Sequence, residues 1–258
     1  MVSSSVKSSE IRFGECNKHL LEEVIFYGIS LGADFVELFI ENSDNSSVLA
    51  EEDFITSVSP SFGSGAVIRI FKDKRDGFVS TNDLSKHGLM RSVSQAIEML
   101  DISQKNNTSK FNGLKKQKDY SKTKINWLKE VPTINEVSEK LLLSTNALKK
   151  DKKVLVRKGS YSRNWQEVII ASSDGTYATD IRLHQTVGLN IIANDAQYRS
   201  NGSRRFGSHG IPNEFRLWDH EKAANEVYES SMNMLYADYV QAGQMPCLLY
   251  TSPSPRDS

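Results

Sequence analysis

The chain has 258 residues, of which 38% are hydrophobic and 25% are charged. This composition is typical of a globular protein of one or two domains and excludes a collagen, a disulfide scaffold and a disordered tail protein. The 32 Lys and Arg residues balance 32 Asp and Glu residues, so the net charge of zero provides no overall field for nucleic acid or anionic lipid. The two cysteines, Cys16 and Cys247, lie near opposite ends and form no zinc motif.

The sequence contains no recognisable secretion signal or membrane span. Residues 1–10 are polar and rich in serine, and no apolar run approaches the ~18 residues that a spanning helix needs. We therefore expect a cytoplasmic protein that makes no membrane contact.

Residues 1–103 predict a helix, four strands and a second helix. Strands are predicted near residues 36–40, 47–58, 66–71 and 78–80, with turns at Gly63–Gly65 and Asp76–Gly77. The two helices are indicated by apolar residues at helical spacing, at Leu21, Val24, Ile25 and Ile29 and then at Leu89, Val93, Ala96, Ile97 and Leu100.

Residues 104–131 differ in character, because lysines are frequent and apolar periodicity is absent until Ile125. This pattern predicts a solvated linker. A basic arm for nucleic acid is the alternative, but arginine and aromatic side chains are sparse there.

Residues 132–246 repeat the first pattern. Thr133 and Glu136 have the spacing of a capping box at the start of a helix, and alternating strands follow up to Arg199. Gly188 is expected to mark a bulge or bend. The glycine-rich stretch Gly202–Gly210 is expected to be a loop before a final helix.

Together the elements predict an α+β fold. It consists of two successive units, each a helix, four strands and a helix, with mainly antiparallel sheets and helices packed on one face.

The residues alone contain no complete catalytic set. Gly63–Gly65 lacks the third glycine and the following helix of a dinucleotide loop. His220 and Glu221 lack a second histidine one turn on, and His184 is most simply a strand residue. In the glycine-rich stretch, Arg204 and Arg205 together with Gly207 either bind a carboxylate or peptide backbone, or are solvated loop residues.

Several segments occur in a recognisable order: Gly32–Leu38, Gly65–Arg69 with Asp76–Phe78, Ser173–Gly175 with Asp180–Arg182, Arg205–Gly207, and Ala242–Pro246. Over about residues 32–246 they resemble the TldD/PmbA family of zinc metallopeptidases, and the last two segments are closer to the TldD branch. The resemblance assigns residues 1–103 to the N-terminal α/β unit and 132–246 to the central unit.

The resemblance implies a catalytic region that follows these two units. In the family it carries His-Glu-x-x-x-His and a later cysteine as zinc ligands, with the glutamate as general base on a metal-bound water. This motif follows the segment that matches Ala242–Pro246 and is absent here, so we expect an N-terminal fragment that binds no zinc and has no peptidase activity alone.

The resemblance also implies a function and partners. Full-length members cleave peptides or unfolded proteins and act as heterodimers with a PmbA-like (TldE-like) subunit. We expect this chain to contribute fold, dimer contacts and cleft walls, with Arg204, Arg205 and Gly207 beside the substrate and Arg205 aimed at a carboxylate or carbonyl. Alternatively, Arg205 pairs with an acidic residue such as Glu214.

Two other functions remain as alternatives. One is a non-catalytic PmbA/TldE-like subunit that binds peptides or regulates a partner. The other is a nucleic-acid-binding protein that uses the Lys-rich linker.

Residues 247–258 do not resemble the family. Cys247–Asp257 match a translated sequencing adapter, so we expect this tail to be non-native, to have no fixed structure and to be dispensable for stability. The alternative is a natural tail rich in proline and serine.

Overall fold

The computed structural model describes residues 16–101, 110–117, 130–148, 151–196, 198–210 and 213–246. The expectations for the tail 247–258 and for most of the linker therefore lie outside the described residues. Within them the helices are α1 (Lys18–Ser30), α2 (Lys86–Met99), α3 (Ile134–Ala147), α4 (Glu214–Leu217) and α5 (His220–Leu235). The strands are β1 (Phe35–Glu51), β2 (Phe54–Lys72), β3 (Arg75–Thr81), β4 (Lys115–Lys116), β5 (Val154–Ser172), β6 (Thr176–Asp195) and β7 (Tyr198–His209).

All seven strands belong to one sheet in the order β3-β2-β1-β5-β6, and both β4 and β7 pair with β6. Every pair is antiparallel except β4 with β6. The α+β class with mainly antiparallel pairing is thus confirmed. The two units predicted from sequence share this sheet, because Glu37–Glu51 of β1 pair with Lys158–Ser172 of β5.

The first unit has fewer and longer strands than the sequence predicts. β1 continues to Glu51, and the range 47–58 predicted as one strand is divided by a turn at Glu52 and Asp53, with Glu52 at φ 54°. The predicted turn at Gly63–Gly65 is wrong, because β2 passes through it in register with β1. The turn between β2 and β3 is at Asp73–Lys74, where both residues have positive φ, and Asp76–Gly77 belong to β3.

The glycine-rich stretch is a strand, so its prediction as a loop is wrong. Gly202 and Gly207 lie in β7, and of the glycines in this stretch only Gly210 has a positive φ, at 74°. Gly202 is needed for close packing, since an added Cβ would lie 2.5 Å from the carbonyl oxygen of Val227 in α5. Gly188 forms no bulge, because β6 keeps its register with both neighbours there.

The helices that contribute to the buried cores cover a single face of the sheet, as predicted. Alternation along each strand decides this, because every second side chain points to the helices. α1 and α2 bury the half of the sheet nearest β1, β2 and β3, whereas α3 packs on β1 and β5 and α5 packs on β6 and β7.

The predicted helix starts are also confirmed. The capping box at Thr133 is present, with the Glu136 backbone N–H donating to the threonine Oγ1 and the threonine N–H donating to the glutamate carboxylate. At the start of α2, the Ser85 side chain accepts the Gly88 N–H.

The described part of the Lys-rich segment is not wholly solvated. Leu114 is buried in the first core, and its backbone N–H donates to the Glu22 carboxylate at 2.9 Å. The short strand β4 follows with Lys115 and Lys116 exposed. Part of the predicted linker is therefore anchored to the first unit.

Replacing Gly202 by alanine is predicted to destabilise the protein by about 1–3 kcal/mol, because the methyl group would overlap α5. Gly207→Ala in the same strand is the matched control, since its added Cβ meets nothing closer than 3.4 Å. Urea unfolding of both variants measures the difference. Equal losses would show that close packing of α5 is not the cause.

The ion pair between Arg216 and Glu136 is predicted to make stability depend on pH. Hydrogen bonds from Arg216 and from Thr133 lower the pKa of Glu136 from 4.5 to about 2. This contribution to stability is fully present above about pH 4.5 and is lost as the pH falls toward 2. Below about pH 4.5 the unfolded state binds a proton at this carboxyl before the folded state does, and this stabilises the unfolded state. Thermal melts between pH 2 and 6 should show a smaller decrease for Glu136→Gln than for the wild type. Glu139→Gln, on the same helix and also exposed, should retain the wild-type decrease.

Candidate functional site

The side of the sheet opposite the helices, which we call the open face, carries mainly polar side chains. Its central part is lined by serine, threonine and asparagine from neighbouring strands, among them Asn45, Ser47, Ser160, Ser162, Asn164, Thr186, Asn190 and Ser203. Such side chains donate and accept hydrogen bonds without carrying charge, as extended peptides require. The open face is therefore chemically suited to a polar ligand.

The predicted residues Arg205 and Gly207 lie on this face at the edge of the sheet. Arg205 is opposite Gly188 of β6, and Gly207 is opposite Thr186. Because Gly188 has no side chain, the guanidinium stands beside a gap. An added Cβ at Gly188 would lie 2.7 Å from the Ser160 Oγ, so glycine keeps this gap open.

A groove of about 610 Å³ occupies this part of the sheet. Leu49, Ser160, Gly188 and Arg205 contribute to its lining, and Glu51 and Lys158 form an ion pair of 3.1 Å at its margin. The groove thus combines an exposed cation, hydroxyl groups and one apolar side chain that is 45% exposed. This mixture suits a short peptide segment that ends in, or contains, a carboxylate.

Arg204 and Arg205 do not act together. Successive strand residues point to opposite faces, so Arg204 lies on the helix side and pairs with Glu226 of α5 at 3.5 Å. Among the described residues Arg205 forms no ion pair, and the alternative pairing with Glu214 is not found. The structure therefore places Arg205 and Gly207 on the open face and directs the Arg204 side chain to Glu226 of α5, while both arginines, but not Gly207, contribute to the lining of the groove.

The described residues do not fit the catalytic metal that the family resemblance implies. Within the described ranges no group of three or more His, Cys, Asp or Glu side chains could hold a metal ion. Catalytic zinc sites use three protein ligands and one open position. His220 begins α5, and Glu221 follows it on the helix without a histidine nearby.

Tyr161 does not provide a group for proton transfer near pH 7. Tyr161 lies on the helix side of the sheet and donates its hydroxyl hydrogen to Gln185 at 2.9 Å. Burial raises the pKa of Tyr161 to about 12, so the phenol stays neutral near pH 7.

No helix among the described residues is long and apolar enough to cross a membrane.

Two family matches define the class of protein. Residues 36–100 match the PmbA/TldA metallopeptidase domain 1, and residues 124–235 match the PmbA/TldA metallopeptidase central domain. The chain therefore belongs to the PmbA/TldD family, as the sequence motifs predict. A curated relative, the "Metalloprotease TldD homolog" of Haemophilus influenzae, is 25% identical over 228 residues, which are 84% of this chain and 46% of the relative.

Solved structures show the same fold. A candidate modulator of a DNA gyrase from Thermotoga maritima matches with a TM-score of 0.70 and 14% identity over 87% of this chain and 50% of its own. TldE from Thermococcus kodakarensis matches with a TM-score of 0.62 and 21% identity over 81% of this chain and 47% of its own. The chain thus spans about half the length of the relatives it matches.

Sequence reasoning missed two features of this site, the gap at Gly188 and the pairing of His184 with His209. The pairing of the two histidines could have been predicted from the register of the β6–β7 hairpin. His184 lies eleven residues before the last residue of β6, Asp195, and His209 lies eleven after the first of β7, Tyr198. The prediction of a loop over Gly202–Gly210 prevented that register from being extended.

This chain alone is predicted to hold no tightly bound zinc and to cleave no peptide bond, because its described residues provide no three-ligand site. Metal analysis after dialysis against a chelator and an assay with unstructured casein check this. One retained zinc per chain that is lost on substitution of a described residue would contradict the prediction.

Proposed function

We propose that this chain is the N-terminal part of a TldD-like metallopeptidase, in which the open face binds an extended segment of the substrate. The full-length protein would be cytoplasmic and would hold a catalytic zinc outside this chain. It would cleave peptides or unfolded proteins together with a TldE-like partner. The family membership and the half-length coverage of the relatives support this assignment.

The observation that carries the proposal is the placement of Arg205. Its guanidinium is exposed, stands beside the gap at Gly188 and has no ion-pair partner among the described residues. A guanidinium remains charged at any working pH and binds a carboxylate through two parallel hydrogen bonds. We therefore assign to Arg205 the binding of a carboxylate or carbonyl of the peptide.

The polar residues around Arg205 would position the rest of the peptide. Hydroxyl and amide groups of Ser160, Asn190 and Ser203 line the same groove and offer hydrogen bonds to a peptide backbone. Because they are uncharged, they would accept peptides of varied sequence. This suits an enzyme that acts on unfolded segments rather than on one folded partner.

The experiment compares Arg205→Ala with Arg204→Ala in this chain, using labelled peptides with free and amidated C termini. Arg205→Ala is predicted to weaken binding of the free-acid peptide by about ten- to a hundredfold, the size expected for a lost charged hydrogen bond. Arg204→Ala removes the same charge from the adjacent position on the other face and should leave binding unchanged. Equal effects of both variants, or no effect of either, would contradict the proposal.

A second measurement separates binding from stability. In a full-length homologue, the change corresponding to Arg205→Ala should lower kcat/KM without lowering Tm. A proportionate loss of both would indicate a structural role. In this chain, Gly188→Ala combined with Ser160→Ala should weaken peptide binding as well, since it puts a methyl group into the gap while relieving the 2.7 Å contact.

A non-catalytic TldE-like subunit is the second candidate, because the fold also matches TldE from Thermococcus kodakarensis. Such a subunit would use the same open face to bind peptides without cleaving them. Zinc content and peptidase activity of the full-length protein distinguish the two, since only the TldD-like protein should have both.

A further inference from the structure

His184 and His209 form a pair on the open face, separate from the groove at Arg205. They face each other across β6 and β7, with their Nδ1 atoms 3.1 Å apart and their ring centroids 4.4 Å apart. Both side chains are exposed. Of the five histidines in the chain, the other three, His19, His87 and His220, lie in helices.

The backbone fixes this pair at the end of the β6–β7 ladder. The N–H of Gly210 donates to the carbonyl oxygen of Leu183 at 2.8 Å, directly beyond the histidines. Gly207, two residues before His209 on the same face, lies opposite Thr186 and adds no side chain beside the rings. The two imidazoles are therefore positioned by paired strands rather than by a loop.

We propose that His184 and His209 bind a divalent late transition-metal ion, with Cu²⁺ tightest and Ni²⁺ weaker. Imidazole nitrogen is a preferred ligand for both ions, and the order of affinity follows the general series for these metals. Metal–imidazole bonds of ~2.05 Å to two nitrogens 3.1 Å apart enclose an angle of about 98° at the metal. This lies near the 90° between adjacent ligands in square-planar and octahedral sites.

Metal binding requires a change of tautomer and a rotation of the rings. In the neutral pair one ring can donate its Nδ1 hydrogen to the Nδ1 lone pair of the other. When both rings carry their hydrogen on Nε2, both Nδ1 lone pairs can bind a cation, and the rings must turn because a metal at an angle of about 98° lies off the line between the two nitrogens. Water would complete the coordination shell, because the described residues offer no third His, Cys, Asp or Glu ligand.

The surrounding charges permit a cation here. Arg182 is the nearest basic residue along the same face of β6, but Asp180 binds its Nε at 2.7 Å and balances its charge. Asn164, opposite His184 on β5, is uncharged, as is Thr186. With two protein ligands this site is exchangeable and differs from the tightly held catalytic zinc, so the inference does not rest on the proposed peptidase function.

The experiment is calorimetric titration of the untagged full chain with Cu²⁺ and with Ni²⁺. His184→Ala and His209→Ala are each predicted to weaken binding at least tenfold. The double variant should bind no more tightly than either single variant, since a chelate needs both rings. Electron paramagnetic resonance of the Cu²⁺ complex should show two nitrogen ligands, and the metal should raise Tm only where both histidines are present.

His19→Ala, His87→Ala and His220→Ala are the controls, because each removes one histidine from elsewhere in the chain. His209→Gln tests the same loss with a polar side chain retained and guards against a folding defect. Wild-type affinity in the double variant, or a loss of affinity in a control variant instead, would overturn the proposal.

Discussion

The pairing of β1 with β5 is the constraint on which the rest of the structure depends. Strand β1 carries the first hairpin on one side and the whole second unit on the other, so residues 37–51 hold two otherwise separate units in one sheet. A slip of one residue would turn Val48 and Ala50 away from the core. The alternate side chains of β1, which now face the open side, would then point to the helices. The register of this one pair therefore determines which face receives the helices.

Close packing of the helices follows from that register. Gly159 of β5 lies under α3, where an added Cβ would be 2.8 Å from Thr145, and Gly202 of β7 lies still closer to α5, where it would be 2.5 Å from Val227. Helices that approach this near bury their apolar residues on one side and leave the other side polar. The open face is thus a consequence of how the core forms, and many of its serine, threonine and asparagine side chains hydrogen-bond to one another across the strands.

The strand geometry also assigns different roles to adjacent arginines. Arg204 stabilises the contact with α5 through Glu226, whereas Arg205 remains on the open face. The same alternation places Arg205, Gly207 and His209 in one row beside Gly188, Thr186 and His184. The proposed peptide contact of Arg205 and the proposed metal site at His184 and His209 both lie along this row, and this gives the edge strand β7 its interest for function.

The sequence by itself determined the α+β class, the buried faces of the helices and the capping box at Thr133, because helical periodicity and capping act between residues three or four positions apart. The family motifs likewise required only the order of short segments. The tertiary structure alone decided that the glycines at 63, 65, 202 and 207 lie in strands, since pairing with β1 and β6 outweighs the local preference of glycine for turns. It also decided that Arg205 faces the groove and that His184 meets His209, because strand register depends on contacts between residues far apart in the chain.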